Sequence, residues 1–336
     1  MRFLISGLGS IGRRHLRNLI TLGQKDIVLH RSGKSTLPLE ELEGFPVEQD
    51  LLEALVNQRP DAVIVSNPTA HHLEVAIPAA KAGCSILLEK PVSNSLDRVE
   101  EFRSALVEGG GQVLVGFQFR FHPGLRRIRS LLEAGAIGRP LSARVQWGEY
   151  LPAWHPWEDY QLSYSARSDL GGGVLLTLCH PFDYLRWLFG EVESVFATID
   201  TIGDLDIEVE DTADVLMRFE AGMMGNVHVD YNQRPPSHWL EIVGTHGTIG
   251  WDNATGEVRW WTSKDKNWKS FSPPEAFERN TMFHDEMQHF LTVVQGDALP
   301  VCALDDGVQA LRIVLAAKES ARQTKKIELA NLGTGS

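Results

Sequence analysis

The segment Arg2-Phe3-Leu4-Ile5-Ser6-Gly7-Leu8-Gly9-Ser10-Ile11-Gly12 decides the fold. Phe3 to Ser6 is an apolar run of strand length, and the glycines that follow fit G-x-G-x-x-G at the opening of a helical pattern. In a strand–turn–helix context each glycine has its own task. The first permits a tight turn, the second lets a pyrophosphate approach the backbone, and the third brings helix and strand close. The free N–H groups of the helix start then face the phosphates. Gly7, Gly9, Ser10, Ile11 and Gly12 are therefore candidate dinucleotide contacts, against the alternative of an ordinary glycine-rich turn.

Downstream, Ile27–His30, Ala62–Ser66, Ile86–Glu89 and Val113–Gly116 read as further buried strands, with helical patterns near 11–22, 70–82 and 95–108. This alternation predicts βαβ units and a doubly wound parallel sheet, an α/β Rossmann domain. Residues 31–48 show no regular pattern. After about residue 120 the rhythm changes. Helices are expected near 123–134, 173–188, 281–295 and 305–322, with longer strands at 192–201, 212–219, 224–231, 238–243 and 257–262. Turn residues between those strands indicate an antiparallel sheet. The expected division is a dinucleotide-binding domain over 1–119 and a substrate-binding and oligomerisation domain over 120–336.

The second strand ends Leu29-His30-Arg31-Ser32-Gly33-Lys34, with no acid for the ribose 2′-hydroxyl of NAD. Arg31 and Ser32 can instead bind a 2′-phosphate. NADP is thus slightly favoured over NAD, the alternative being that Arg31 and Lys34 are solvated loop charges. Glu89-Lys90-Pro91 closes the fourth of these strands. Carboxyl ends of parallel strands are where ligands sit in such sheets, and a lysine emerging from an apolar strand is either a surface charge or a functional group. Further on, Gly171-Gly172-Gly173 leads a helical pattern carrying Thr177, His180, Pro181, Asp183 and Tyr184. The spacing predicts one helix with Thr177, His180, Asp183 and Tyr184 on a shared face and a kink near His180 from Pro181. By itself such a histidine is more often a packed residue than a catalyst.

Together these motifs resemble the glucose–fructose oxidoreductase/inositol dehydrogenase/MocA (Gfo/Idh/MocA) family. Asn67-Pro68-Thr69-Ala70-His71-His72 is similar to that family's loop beside the nicotinamide, and Gly116-Phe117-Gln118-Phe119-Arg120-Phe121-His122-Pro123 to its domain junction. The resemblance implies a Rossmann domain followed by an α/β domain with a large, mainly antiparallel sheet. It implies NAD(P)-dependent hydride transfer at a secondary alcohol or ketone of a sugar, cyclitol or nucleotide sugar, in a homo-dimer or homo-tetramer. It assigns Lys90 and His180 as the catalytic pair, and adds Ser66, Asn67, Pro68, His72, Glu89, Lys90 and Gln118 to the cofactor contacts. His180 suits the base, its reference pKa of ~6.5 lying near working pH. Lys90 suits the stabilisation of a developing alkoxide.

One departure stands out. Many relatives carry an aspartate four residues before the histidine, where this chain has Leu176, with Thr177 the nearest polar group. A catalytically impaired dinucleotide-binding regulator is accordingly the rival reading. Residues 149–167 are the most aromatic stretch, and Trp154, Tyr160 and Tyr164, with Arg120, Thr177 and His180, are the candidate substrate contacts. Aromatic faces beside hydrogen-bonding groups suit a polyhydroxylated ring, although packing against the second domain explains each aromatic equally well.

Composition narrows the remaining classes. The 336 residues are 43% hydrophobic and 23% charged, with a formal charge of −12 from 44 acidic and 32 basic residues. That balance disfavours a nucleic-acid partner. No apolar run reaches the ~20 residues of a membrane span, and Cys84, Cys179 and Cys302 form no disulfide framework or metal spacing. His284 and His289 lack the i, i+4 spacing of a helical zinc site. No metal and a cytoplasmic location are expected.

Overall fold

The computed structural model describes residues 1–31, 40–156 and 158–332. By their contacts these fall into two compact units. One comprises Met1–Gln118 with Glu278–Val308, the other Phe119–Phe277 with Gln309–Ser336.

The first unit begins β1 (Arg2–Ser6), α1 (Ser10–Thr21), β2 (Asp26–His30), β3 (Val47–Glu48), α2 (Leu51–Gln58) and β4 (Ala62–Val65). It continues α3 (His72–Lys81), β5 (Ser85–Glu89), α4 (Val99–Gly109) and β6 (Val113–Gly116). The strands form one parallel sheet in the order β3-β2-β1-β4-β5-β6. Phe3, Leu4, Ile5, Val63, Ile64, Leu87 and Leu88 are wholly buried, as strands covered on both faces require. The order reverses between β1 and β4, and the crevice outside the carboxyl ends there is where open α/β sheets bind ligands. Helix α2, capped by Asp50, which accepts from Glu53 N at 2.9 Å, escaped the sequence reading.

The second unit contains α5 (Pro123–Glu133), β7 (Pro140–Gly148), α6 (Val174–Thr177), α7 (His180–Phe189), β8 (Val192–Asp200), β9 (Thr212–Phe219) and β10 (Met224–Asp230). Strands β11 (Ser237–Gly244), β12 (Gly247–Asp252), β13 (Val258–Thr262) and β14 (Trp268–Phe271) follow. Helix α8 (Arg279–Val294) lies in the first unit, and helix α9 (Leu304–Gln323) leads back to β15 (Ile327–Glu328) of the second. Nine strands pair in the order β14-β13-β12-β11-β7-β10-β9-β8-β15. All pairs are antiparallel except β7 with β10, which run parallel. Alternate residues of β9 and β11 are buried, the pattern of a sheet with one face packed and one solvated.

The single helix expected over 173–188 is two helices. Pro181 has no N–H to give the Thr177 carbonyl, so the ladder stops, Leu178 and Cys179 leave the helix, and α7 restarts at His180. Thr177 therefore does not share a helix face with His180.

Candidate active site

In the first unit the three glycines of the opening motif have three different surroundings. A Cβ on Gly7, whose φ is +89°, would lie 2.4 Å from Asn67 N. One on Gly12 would lie 1.9 Å from the Gly7 carbonyl oxygen, whereas one on Gly9 would meet nothing within 4 Å. This is the division of labour expected of a tight turn, an open approach for pyrophosphate and a close helix–strand contact. Gly9, Ser10 and Ile11 sit at the exposed or half-exposed start of α1. The Ser66 hydroxyl points at the Ser6 and Gly7 carbonyls, at 3.0 and 2.8 Å, so Ser66 braces the turn.

Around this turn lie the other candidate contacts of the unit. Asn67 Nδ2 donates to the His71 carbonyl at 3.1 Å, and Pro68 opens the short helical turn Thr69–His71. Asn67 Oδ1 and Gln118 Oε1 are buried without a hydrogen-bond partner among the described residues. Such atoms suit a polar ligand, since burial without a partner is costly. Arg31 is half-buried, its N–H donating to the Glu48 carbonyl at 3.1 Å, and Ser32 lies outside the described residues. The donors, open glycine and orphaned acceptors fit a dinucleotide. Gly7, Gly9, Ser10, Ile11 and Gly12 would hold its phosphates, and the nicotinamide would supply a hydride acceptor or donor.

Sequence reasoning missed the buried support beneath these loops. Arg13, almost fully buried, donates from Nε to the Leu8 carbonyl at 3.1 Å and lies 3.6 Å from Glu41. His15, wholly buried on α1, meets Glu89 Oε1 through Nε2 at 2.7 Å. Burial pushes the Glu89 carboxyl up, but the hydrogen bond and charge of His15 outweigh it and hold Glu89 below the usual carboxylate range. The Lys90 N–H faces Glu89 Oε2 at 3.3 Å. His72 lies between two carbonyls, Nδ1 at 2.8 Å from Pro91 O and Nε2 at 2.9 Å from Asn67 O. Burial lowers its pKa, against the pull of both carbonyls and of Glu89. Glu286 on α8 is wholly buried with neither oxygen hydrogen-bonded among the described residues. Desolvation, then the charge of Glu89, raises its pKa well above that of an ordinary carboxyl. The signal was present: Glu286 falls within the buried stripe Met282, Phe283, Met287 and Phe290.

In the second unit His180, buried at the start of α7, packs edge-on to Phe119 at 4.9 Å between ring centroids and lies 5.6 Å from Trp147. His238 stacks on Trp147 at 4.3 Å and shares a 3.2 Å hydrogen bond with the Tyr184 hydroxyl. Desolvation carries His238 down to about 3 and His122 to about 4. Arg120 and Asp183 form a buried two-pronged ion pair, Nε to Oδ2 at 3.0 Å and Nη2 to Oδ1 at 2.6 Å. Arg120, a candidate substrate contact, is thus engaged in anchoring the helix that carries His180. Thr177 is buried on α6, and the Tyr231 hydroxyl donates to the Ser165 carbonyl at 3.3 Å. Gly172 and Gly173 pack where side chains cannot. A Cβ on Gly172 would lie 2.3 Å from the Tyr164 carbonyl, and one on Gly173 2.5 Å from the Glu210 carboxyl. The glycine run thereby seats the aromatic stretch. Within that stretch Trp154 and Tyr160 line a small cavity with Leu151, His155, Glu158 and Ser163, and Tyr164 is exposed.

Residues 1–117 match the model of the oxidoreductase family with an NAD-binding Rossmann fold, and residues 125–250 match the GFO/IDH/MocA C-terminal domain. The chain belongs to the Gfo/Idh/MocA family of oxidoreductases. It is 28% identical to myo-inositol 2-dehydrogenase of Thermotoga maritima over 98% of both chains. It is also 28% identical to scyllo-inositol 2-dehydrogenase (NAD(+)) of Bacillus subtilis, over 98% of this chain and 96% of that one. A levoglucosan dehydrogenase solved with NADH and levoglucosan superposes with a TM-score of 0.87 at 21% identity, covering 98% of this chain and 99% of the other. That likeness is one of fold. Within this family the chain is an NAD-binding dehydrogenase or reductase with a Rossmann sheet and a mixed, mostly antiparallel second sheet. Among the described residues no helix is long and apolar enough to cross a membrane.

Proposed function

We propose that this chain transfers hydride between NAD(P) and a secondary alcohol or ketone of a sugar, cyclitol or nucleotide sugar, with Lys90 and His180 as its catalytic residues. One observation carries the reading: the glycine turn after β1 and the Lys90 turn after β5 open at the carboxyl ends of the same parallel sheet, beside its switch point. The inositol dehydrogenase names of the relatives support the substrate class.

In alcohol oxidation His180 takes the hydroxyl proton. Lys90, as a cation, stabilises the oxyanion that develops. Neither role needs the aspartate missing at Leu176. Arg120 and Asp183 hold α7, and with it His180, in place. Arg31 and Ser32 meet the 2′-phosphate of NADP, which is the favoured cofactor. The solvated face of the second sheet, with Phe196, Leu216 and Trp239 exposed among polar neighbours, serves a homo-dimer or homo-tetramer.

The test is turnover of myo-inositol, levoglucosan and UDP-sugars with NAD and NADP, followed by nicotinamide absorbance, in wild type and Lys90→Ala. Turnover should fall ~10²–10³-fold in the variant, the loss that follows removal of one oxyanion-stabilising group, while dinucleotide binding persists. Equal turnover by Lys90→Ala would remove Lys90 from the chemistry.

A further inference from the structure

The turn Glu89-Lys90-Pro91 is held from both sides by buried histidines. On one side His15 Nε2 grips Glu89 Oε1 at 2.7 Å, while the other oxygen of that carboxylate faces the Lys90 N–H at 3.3 Å. On the other side His72 Nδ1 meets the carbonyl of Pro91 at 2.8 Å, and its Nε2 reaches the Asn67 carbonyl at 2.9 Å. His15, Glu89 and His72 are all buried, and Lys90 is only half so. Gly116 leaves room for the arrangement, since a Cβ there would press on the Glu89 carboxyl carbon at 3.3 Å.

From this geometry we infer that His15 and His72 are positioning residues for Lys90, fixing the backbone immediately before and after it. The inference rests on Lys90 being the catalytic lysine, and it gives His72 a task other than touching cofactor. Each ring comes from a helix that packs on the sheet, His15 from α1 and His72 from the first turn of α3. The lysine is thereby tied to the rigid body of the unit, as side chains that must be aimed within a fraction of an ångström require.

The experiment reads Lys90 directly and needs no substrate. Full-length protein is trace-acetylated with acetic anhydride across a pH series, and each lysine is quantified by mass spectrometry, exposed Lys81 serving as the internal reference. His15→Phe and His72→Phe keep a ring but lose the N–H. In both, the Lys90 labelling profile should move several-fold towards that of Lys81. His15→Gln and His72→Asn place an amide nitrogen where Nε2 and Nδ1 stood, and should restore the wild-type profile. If a phenylalanine variant does not fold, His72→Gln, whose amide falls at the Nε2 position away from Pro91, gives the same contrast with His72→Asn. An unchanged Lys90 profile in the folded variants lacking the N–H would overturn the inference. So would amide variants that behave like the phenylalanine ones. Either result leaves the Lys90→Ala turnover test standing, so a failed clasp is distinguishable from a failed assignment of Lys90.

Discussion

The two units each bury titratable groups away from a compensating charge. In the first, Glu286 lies without a hydrogen-bond partner among the described residues and keeps its proton well above the usual range. In the second, His238 and His122 refuse theirs down to about 3 and about 4. The cause is the same: with no compensating charge at hand, desolvation drives each group to its neutral form. Where an oppositely charged partner stands within hydrogen-bond distance the outcome reverses, as for Glu89 beside His15. Charge survives in these interiors only where a specific neighbour holds it. Glu89 lies next to Lys90, and Asp183, ion-paired with Arg120, lies on the helix of His180.

That contrast can be broken in several places. The largest effect is expected at the paired site. Arg120→Ala leaves Asp183 buried without its fork of donors and should cost about 3–5 kcal/mol, measured as a lowered denaturant midpoint. A loss under ~1 kcal/mol would mean that the pair is solvated in solution.

The histidines come next. A depressed folded pKa means that the unfolded chain binds the proton first. Their stabilising contribution is therefore full above ~6.5 and is lost as pH falls towards 3–4, by up to about 1.4 kcal/mol per pH unit for each. His238→Phe leaves the Tyr184 hydroxyl unpartnered, which costs roughly 1–3 kcal/mol at neutral pH. Its stability should nevertheless fall less steeply than wild type in acid, as thermal melts across the range would show. Parallel curves would contradict a buried neutral His238.

Glu286 should behave with the opposite sign. Its raised pKa means that the folded protein holds a proton the unfolded chain releases above ~4.3, so its contribution declines as pH rises through that window. Glu286→Gln, neutral at every pH, should be more stable than wild type, by a margin that widens with pH. A Gln variant less stable than wild type would show that Glu286 is ionised and paired. Smallest is Arg31→Ala, which should weaken NADPH binding by fluorescence titration and leave NADH nearly unchanged. Equal loss of both would place Arg31 away from the 2′-phosphate.

Much of this was legible in the sequence because parallel strands covered on both faces are written as plain apolar runs. Phe3–Ser6, Ala62–Ser66 and Ile86–Glu89 needed no further context. The glycine trio was equally plain, since each glycine answers a backbone demand that other residues cannot meet. Strand β7 was not legible. Its solvent-facing residues, among them Ser142 and Arg144, dilute the signal, and its parallel partner β10 is distant in sequence. The break between α6 and α7 was hidden because the apolar spacing of Val174, Leu178, Phe182 and Leu185 runs straight through it; only the missing Pro181 N–H marks the place. At the site, the residues named from motifs were those that face a ligand. His15 and Arg13, which hold the motifs from beneath, and the buried Glu286 looked like ordinary members of helix faces, because a buried polar group is recognised by its surroundings and not by its spacing.

The claim on which everything else depends is that the turn from Gly7 to Gly12 holds a dinucleotide. Gly9→Leu tests it cleanly, because a Cβ on Gly9 meets no protein atom within 4 Å and the fold should not register the change. Titrating NADH and NADPH into wild type and Gly9→Leu, followed by fluorescence, should show saturable binding to the first and little or none to the second at equal melting temperature. Binding to neither protein, or equal binding to both, would contradict the account.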